Sequence, residues 1–124
     1  MTAVRPLVSV VDDDESIRES LPDLLGEFGF ASQTFASAEE FLASNSIDAT
    51  KCLILDVAMP GMSGPDLLRE LTRRQQRIPT IFITAHGSDA TRPQLIAEGA
   101  IDCLLKPFSD TALRGAIDAA LRTG

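Results

Sequence analysis

The chain has 124 residues, the length of one compact domain, and at 44% apolar and 23% charged it is excluded from the disordered, collagen-like and coiled-coil classes. Eighteen Asp and Glu outweigh eleven Lys and Arg, giving a formal net charge of −7 that sets the surface against phosphate backbones and excludes direct nucleic-acid binding as an expectation. No apolar run approaches the roughly 20 residues of a membrane span, and Met1–Pro6 lacks the cationic and apolar stretches of a signal peptide, so a cytoplasmic, non-membrane protein is expected.

Leu7–Val11 is a short β-rich run followed by the carboxylates Asp12 to Glu15. Ile17, Leu21, Leu24, Leu25 and Phe28 then fall on one stripe of a helix, with Gly29 as its stop. Pro22 lies inside that stripe, where a proline removes a hydrogen bond at a cost of about 3 kcal/mol, and a kink is expected there. Ala31–Phe35 alternates weakly, as an edge strand would. Ser37 with Glu40 carries a capping-box signature ahead of Phe41 and Leu42. Cys52–Leu55 and Ile81–Ile83 are unbroken apolar runs ending in Asp56 and Thr84, the mark of parallel strands covered on both faces. Between them, Gly64-Pro65 before Leu67, Leu68 and Leu71 opens a helix with proline in its first turn. Leu95 and Ile96 mark a short helix with a late start near Pro93 and a stop at Gly99. Ile101–Leu105 is the last strand, and Leu113, Ile117, Ala120 and Leu121 stripe the last helix. Cys52 and Cys103 have no metal spacing and are too few for a disulfide framework, so both read as small buried thiols. Strand and helix alternate five times with short links and no internal repeat. That pattern predicts a single α/β domain over residues 1–124, an open, doubly wound parallel sheet.

In such a sheet ligands bind beyond the carboxyl ends of the strands. The first strand is followed by Asp12, Asp13, Asp14 and Glu15, the third ends in Asp56, the fourth in Thr84-Ala85 and the fifth in Lys106-Pro107. Each piece alone has an ordinary reading. An acidic run before a helix complements its dipole, an Asp after a buried strand makes a turn, Thr84 is a β-former, and Lys-Pro is a loop dipeptide. Their order and their common placement at strand ends are far more specific than any one of them.

Four runs, VVDDDESIRESL at 10–21, LILDVAMPGMSGPDLL at 53–68, IFITAHGS at 81–88 and CLLKPF at 103–108, resemble the receiver domain of two-component response regulators, FixJ-like branch, over essentially the whole chain. The resemblance implies a flavodoxin-like fold of five parallel strands in the order 2-1-3-4-5 flanked by five helices. The second and fifth strands, the less purely apolar runs, would be the edges. It implies that Asp56 is the phosphorylated nucleophile, and that Asp13 and Asp56 bind Mg²⁺ directly. Asp12 would bind it through water, with the backbone carbonyl of Ala58 as a further ligand. Thr84 and Lys106 would contact the phosphoryl oxygens, and Lys106-Pro107 would be a cis peptide. Elementary chemistry agrees with these roles. Mg²⁺ wants octahedral oxygen ligands and keeps waters, so two carboxylates and a carbonyl leave room for a phosphate oxygen. Phosphoryl transfer needs positioning and charge neutralisation more than covalent help. Attack by a carboxylate gives a reactive acyl phosphate, suited to a reversible signal.

The function implied is a phospho-acceptor regulatory domain, not an enzyme, which promotes its own phosphorylation and dephosphorylation. It would take a phosphoryl group from a sensor histidine kinase or phosphotransfer protein and switch its surface to control an output domain or partner. A C-terminal DNA-binding output domain outside this chain and a phosphorylation-dependent homodimer both stay open. One alternative is a pseudo-receiver, a binding module without phosphorylation, but Asp13, Asp56 and Lys106 are all present. Another is a small Mg²⁺-dependent aspartyl-phosphate hydrolase of the haloacid-dehalogenase type, which would carry a second Asp where this chain has Ala58. His86, the lone histidine, reads as a loop residue at the mouth of the site, and Arg73, Arg74 and Arg77 as cations suited to a helix C-terminus. One position departs from the family pattern: receivers commonly carry Tyr or Phe three residues before the Lys, where this chain has Cys103. A thiol cannot fill or vacate the space of a ring, so phosphorylation is expected to reorder mainly Gly87–Leu95.

Overall fold

Apolar strands without a polar face need cover on both sides, and the chain supplies it by winding helices alternately over the two faces of one sheet. In a computed structural model describing residues 5–85 and 91–123, the elements are β1 (Leu7–Val11), α1 (Glu15–Glu27), β2 (Ala31–Phe35), α2 (Ala38–Leu42), β3 (Thr50–Asp56), α3 (Gly64–Arg73), β4 (Thr80–Thr84), α4 (Thr91–Ala97), β5 (Asp102–Leu105) and α5 (Asp110–Thr123). All neighbouring strands pair in parallel, in the order β2-β1-β3-β4-β5. The flavodoxin-like topology and both expected edge strands are therefore present.

Alternate residues of the three central strands point to two separate cores. Val8, Val10, Ile54, Ile81 and Ile83 pack with Leu21 and Leu25 of α1 and Leu113 and Ile117 of α5. Val11, Leu53, Leu55 and Phe82 face the other way, against Phe41 of α2, Leu67 and Leu71 of α3, and Leu95 of α4. Each such side chain contributes about 1.5–3 kcal/mol on burial, so the strands are firmly held from both sides and their carboxyl ends are fixed in place.

Local chemistry explains most element boundaries. Asp14 caps α1 by accepting the Ser16 N–H at 2.9 Å, and α1 runs through Pro22 as one helix. Gly29 and Gly99, at φ +94° and +112°, follow α1 and α4 in the left-handed region that glycine tolerates. Two expectations need adjusting. The helix expected to start late near Pro93 begins at Thr91, with Pro93 inside its first turn, where a missing N–H goes unnoticed. At Ser37 the hydroxyl accepts the Glu40 N–H at 3.0 Å, the N-cap half of a capping box. The full reciprocal box forms at Ser63 and Asp66 instead, at the start of α3. Among the described residues no helix is long and apolar enough to cross a membrane.

Candidate functional site

Strand register decides which side chains meet. Val11 pairs with Leu55, Asp56 with Ile83, and Thr84 with Leu105, so the residues ending or following four strands share one edge. There the carboxylates of Asp12, Asp13 and Asp56 each offer an oxygen, all within 4.8 Å of one another. Asp12 is fully buried and Asp56 nearly so, whereas Asp13 is exposed. Lys106 reaches in from the end of β5, with Nζ 2.8 Å from Asp12 Oδ2 and 3.8 Å from Asp56 Oδ1. The Lys106 N–H donates to the Thr84 carbonyl at 2.8 Å, which ties β5 to the buried end of β4. The Lys106-Pro107 peptide is cis, as expected.

Asp12 is held from several directions. Its Oδ1 accepts the Asp14 N–H at 2.9 Å, and its carbonyl accepts Arg18 Nη1 at 3.0 Å. Its own N–H donates to the Phe35 carbonyl at 3.1 Å. The electrostatics follow from three carboxylates facing one ammonium. Desolvation first, and then the charge of Asp12, push the Asp56 carboxyl up to about 7, with Lys106 opposing. Burial acts to lower the Lys106 pKa, but the Asp12 hydrogen bond and the charges of Asp12, Asp56 and Asp14 outweigh it and the net shift is upward. A compact, oxygen-only, negatively charged cluster suits a hard divalent cation and not a thiolate-seeking one. The donor chemistry thus fits Mg²⁺.

Ala58 lies exposed in the loop after β3, and Ala85 exposed just after Thr84. Cys103 is half-buried and packs against the core on the α2–α4 side. Cys52 is fully buried, and desolvation pushes its thiol up to about 12, which keeps it inert. Arg73 and Arg74 pair with Glu70 at the end of α3, a helix-terminal role as anticipated. His86 lies outside the described residues, as do positions 87–90 of the Gly87–Leu95 segment.

Two residues of the site had been passed over. A Cβ on Gly64 would lie 2.2 Å from the Asp56 carbonyl oxygen and 3.0 Å from Phe82 Cε1, so only glycine lets α3 start this close to β3. The sequence signal was a Gly directly after a residue, Ser63, already able to cap the helix. Arg18, on α1 six positions beyond Asp12, lies off the apolar stripe and carries no sequence signal of its own for the bond to the Asp12 carbonyl. Beside the cluster, a groove of about 570 Å³ opens next to Asp14 and Lys106, lined chiefly by Ile17, Leu21, Leu24, Pro107 and Phe108.

A doubly wound parallel sheet carrying an aspartate cluster and an ammonium at its carboxyl edge defines a flavodoxin-like domain with a cation-ready site. Residues 8–118 match the response regulator receiver domain, and the chain belongs to that family, the regulatory component of two-component signalling. It is 44% identical over 118 residues to Nodulation protein W of Bradyrhizobium diazoefficiens, covering 95% of this chain and 52% of that protein. It is 42% identical over 113 residues to the transcriptional regulatory protein FixJ of Rhizobium meliloti, covering 91% of this chain and 55% of FixJ. The crystal structure of FixJ-N superposes with a TM-score of 0.84 at 38% identity, covering 97% of this chain and 96% of that one. The chain spans about half the length of the curated relatives it matches.

Proposed function

We propose that this chain is a phospho-acceptor switch in which Asp56 takes a phosphoryl group from the phosphohistidine of a sensor histidine kinase or phosphotransfer protein. The observation that carries this reading is the meeting of Asp12, Asp13 and Asp56 within 4.8 Å, with Lys106 Nζ 2.8 Å from Asp12 and 3.8 Å from Asp56. An Asp56 carboxylate oxygen attacks phosphorus, the P–N bond breaks, and the donor imidazole leaves with the bonding pair. The product is an acyl phosphate, which water later hydrolyses to restore the carboxylate. Asp13, Asp56 and the Ala58 carbonyl would hold Mg²⁺, with Asp12 acting through water; the cation supplies neutralisation of the phosphoryl charge. Lys106, held by Asp12 before transfer, is close enough to turn toward the incoming phosphoryl oxygens. The hydroxyl of Thr84 is drawn to the same group and carries the change into β4. The apolar groove beside Lys106 gives the donor segment a seat next to the acceptor.

The chain acts as a single receiver domain in the cytoplasm, controlling an output module of the kind that a transcriptional regulator such as FixJ would carry in its other half. Ile96 and Leu105, exposed on the neighbouring α4 and β5, offer apolar contact to a second phosphorylated copy. The test is incubation with Mg²⁺ and acetyl phosphate or phosphoramidate, followed by intact mass. One adduct stable for minutes, absent from Asp56→Asn, is expected. Rapid phosphate release without accumulation would mean a hydrolase, and no adduct a pseudo-receiver.

A further inference from the structure

The loop from Val57 to Ser63 leads from the acceptor strand to α3. Its base is closed by the Gly64 N–H on the Val57 carbonyl at 3.0 Å, and Val57 N–H is tied to the Ile83 carbonyl at 3.0 Å. Its far side is held differently. Glu39, in the first turn of α2 and 23 positions upstream, accepts the Met62 N–H with Oε2 at 3.1 Å. The same oxygen lies 2.7 Å from where a Cβ on Gly61 would stand, and Gly61 has φ +75°. The loop therefore passes directly against this carboxylate, and it does so at a residue with no side chain to keep it away. Ala38 and Phe41, flanking Glu39 within two residues, are buried in the core, so the carboxylate projects from a fixed base.

We propose that Glu39 is a positioning residue for the cation site: its bond to Met62 sets the path of the loop that carries Ala58, the residue whose carbonyl completes the ligand set. The inference rests on the functional reading above, in which Ala58 is a ligand. Glu39 touches neither the cation nor the phosphoryl group. It restrains the backbone between Asp56 and α3, so that the carbonyl is presented to the cation in the free protein and little ordering remains for binding to accomplish. Losing one such restraint costs roughly three- to tenfold in affinity, the range of a single net hydrogen bond. An acceptor oxygen is required, and the negative charge is not.

Three variants test this on the full chain: Glu39→Ala, Glu39→Gln and, as a control of equal charge on the same helix turn, Glu40→Ala. Titration with MgCl₂ followed by amide NMR shifts gives the affinity, and hydrogen exchange without Mg²⁺ reads the Met62 amide. Glu39→Ala should exchange Met62 faster and bind Mg²⁺ roughly three- to tenfold more weakly, with a metal-free melting temperature matching Glu40→Ala. Glu39→Gln should restore Mg²⁺ affinity to within about twofold of wild type, because its amide oxygen still accepts. Unchanged Mg²⁺ affinity in Glu39→Ala overturns the proposal, and so does equal weakening in Glu40→Ala or in Glu39→Gln. Failure of the wild-type chain to bind Mg²⁺ at all would instead remove the functional reading, and the role of Glu39 with it.

Discussion

Replacing Gly64 with alanine adds a single methyl group where the structure has no room for one. The new carbon would sit 2.2 Å from the Asp56 carbonyl oxygen, 3.1 Å from the Asp56 carbonyl carbon and 3.0 Å from a ring carbon of Phe82. A carbon and a carbonyl oxygen in contact need about 3.2 Å, so α3 and β3 must separate by about 1 Å. Neither partner gives easily, because the strand is wedged between two cores and Phe82 is fully buried. Overpacking of this kind costs about 1–3 kcal/mol, which for a domain of this length lowers the melting temperature by roughly 3–12 °C. The same displacement moves the carboxylate of Asp56, the proposed acceptor, and a misplacement of about 1 Å can cost on the order of 100-fold in rate. Gly26→Ala is the matched control, since no atom lies within 4 Å of its added carbon in α1. That change should be neutral or stabilising by up to about 1 kcal/mol. Thermal melts followed by circular dichroism and phosphorylation rates with acetyl phosphate read both effects. A Gly64→Ala protein that melts and phosphorylates like wild type would refute the close approach.

Asp13→Asn relieves carboxylate repulsion and removes a ligand, so it should raise the metal-free melting temperature and abolish most of the rise that Mg²⁺ gives wild type; an intact Mg²⁺ response would remove Asp13 from the ligand set. Because the folded Asp56 carboxyl stands at about 7 against 3.8, the native state holds the extra proton, and metal-free stability should fall as pH rises through that window. Asp56→Asn should lose this component, and parallel pH profiles of the two proteins in EDTA would contradict it. Lys106→Ala should still permit some phosphorylation of Asp56 but uncouple it from surface change or self-association; a normal phosphate-dependent response, read by sedimentation with a beryllofluoride mimic, would show that Lys106 does not transmit the signal.

The element types were legible because hydrophobic periodicity is a local property, and β1, β3 and β4 have no polar face to mislead. Placement of the polar residues at one sheet edge followed from topology alone, since parallel strands bring all their carboxyl ends to the same side. What stayed hidden was pairing. Lys106 could be placed at this edge from its strand end, but nothing local says that its nearest partner is Asp12 at 2.8 Å and not Asp56 at 3.8 Å. Gly64 was legible as a helix start and illegible as a clearance, because the oxygen it avoids belongs to a residue on another element. Ser37 and Ser63 both carry a cap signature, and only at Ser63 does the carboxylate three residues on, that of Asp66, accept the N–H of the cap residue in return. Glu39 carries no local signal of its use, because its carboxylate accepts the Met62 N–H from 23 positions further along the chain.

The same distinction explains where this sequence departs from what folding alone would favour. A buried Asp12 beside a nearly buried Asp56 is a local conflict that an apolar or amide pair would avoid. Lys106 resolves it only in part, since one ammonium faces three carboxylates. The residual negative charge makes this edge a good neighbour for a divalent cation. Conflict of that kind is concentrated at one strand edge, while the two cores behind it show none: no buried side-chain nitrogen or oxygen among the described residues lacks a hydrogen-bond partner. The rigid sheet thus confines the electrostatic conflict to one strand edge, where the oxygen donors that a hard divalent cation prefers stand together.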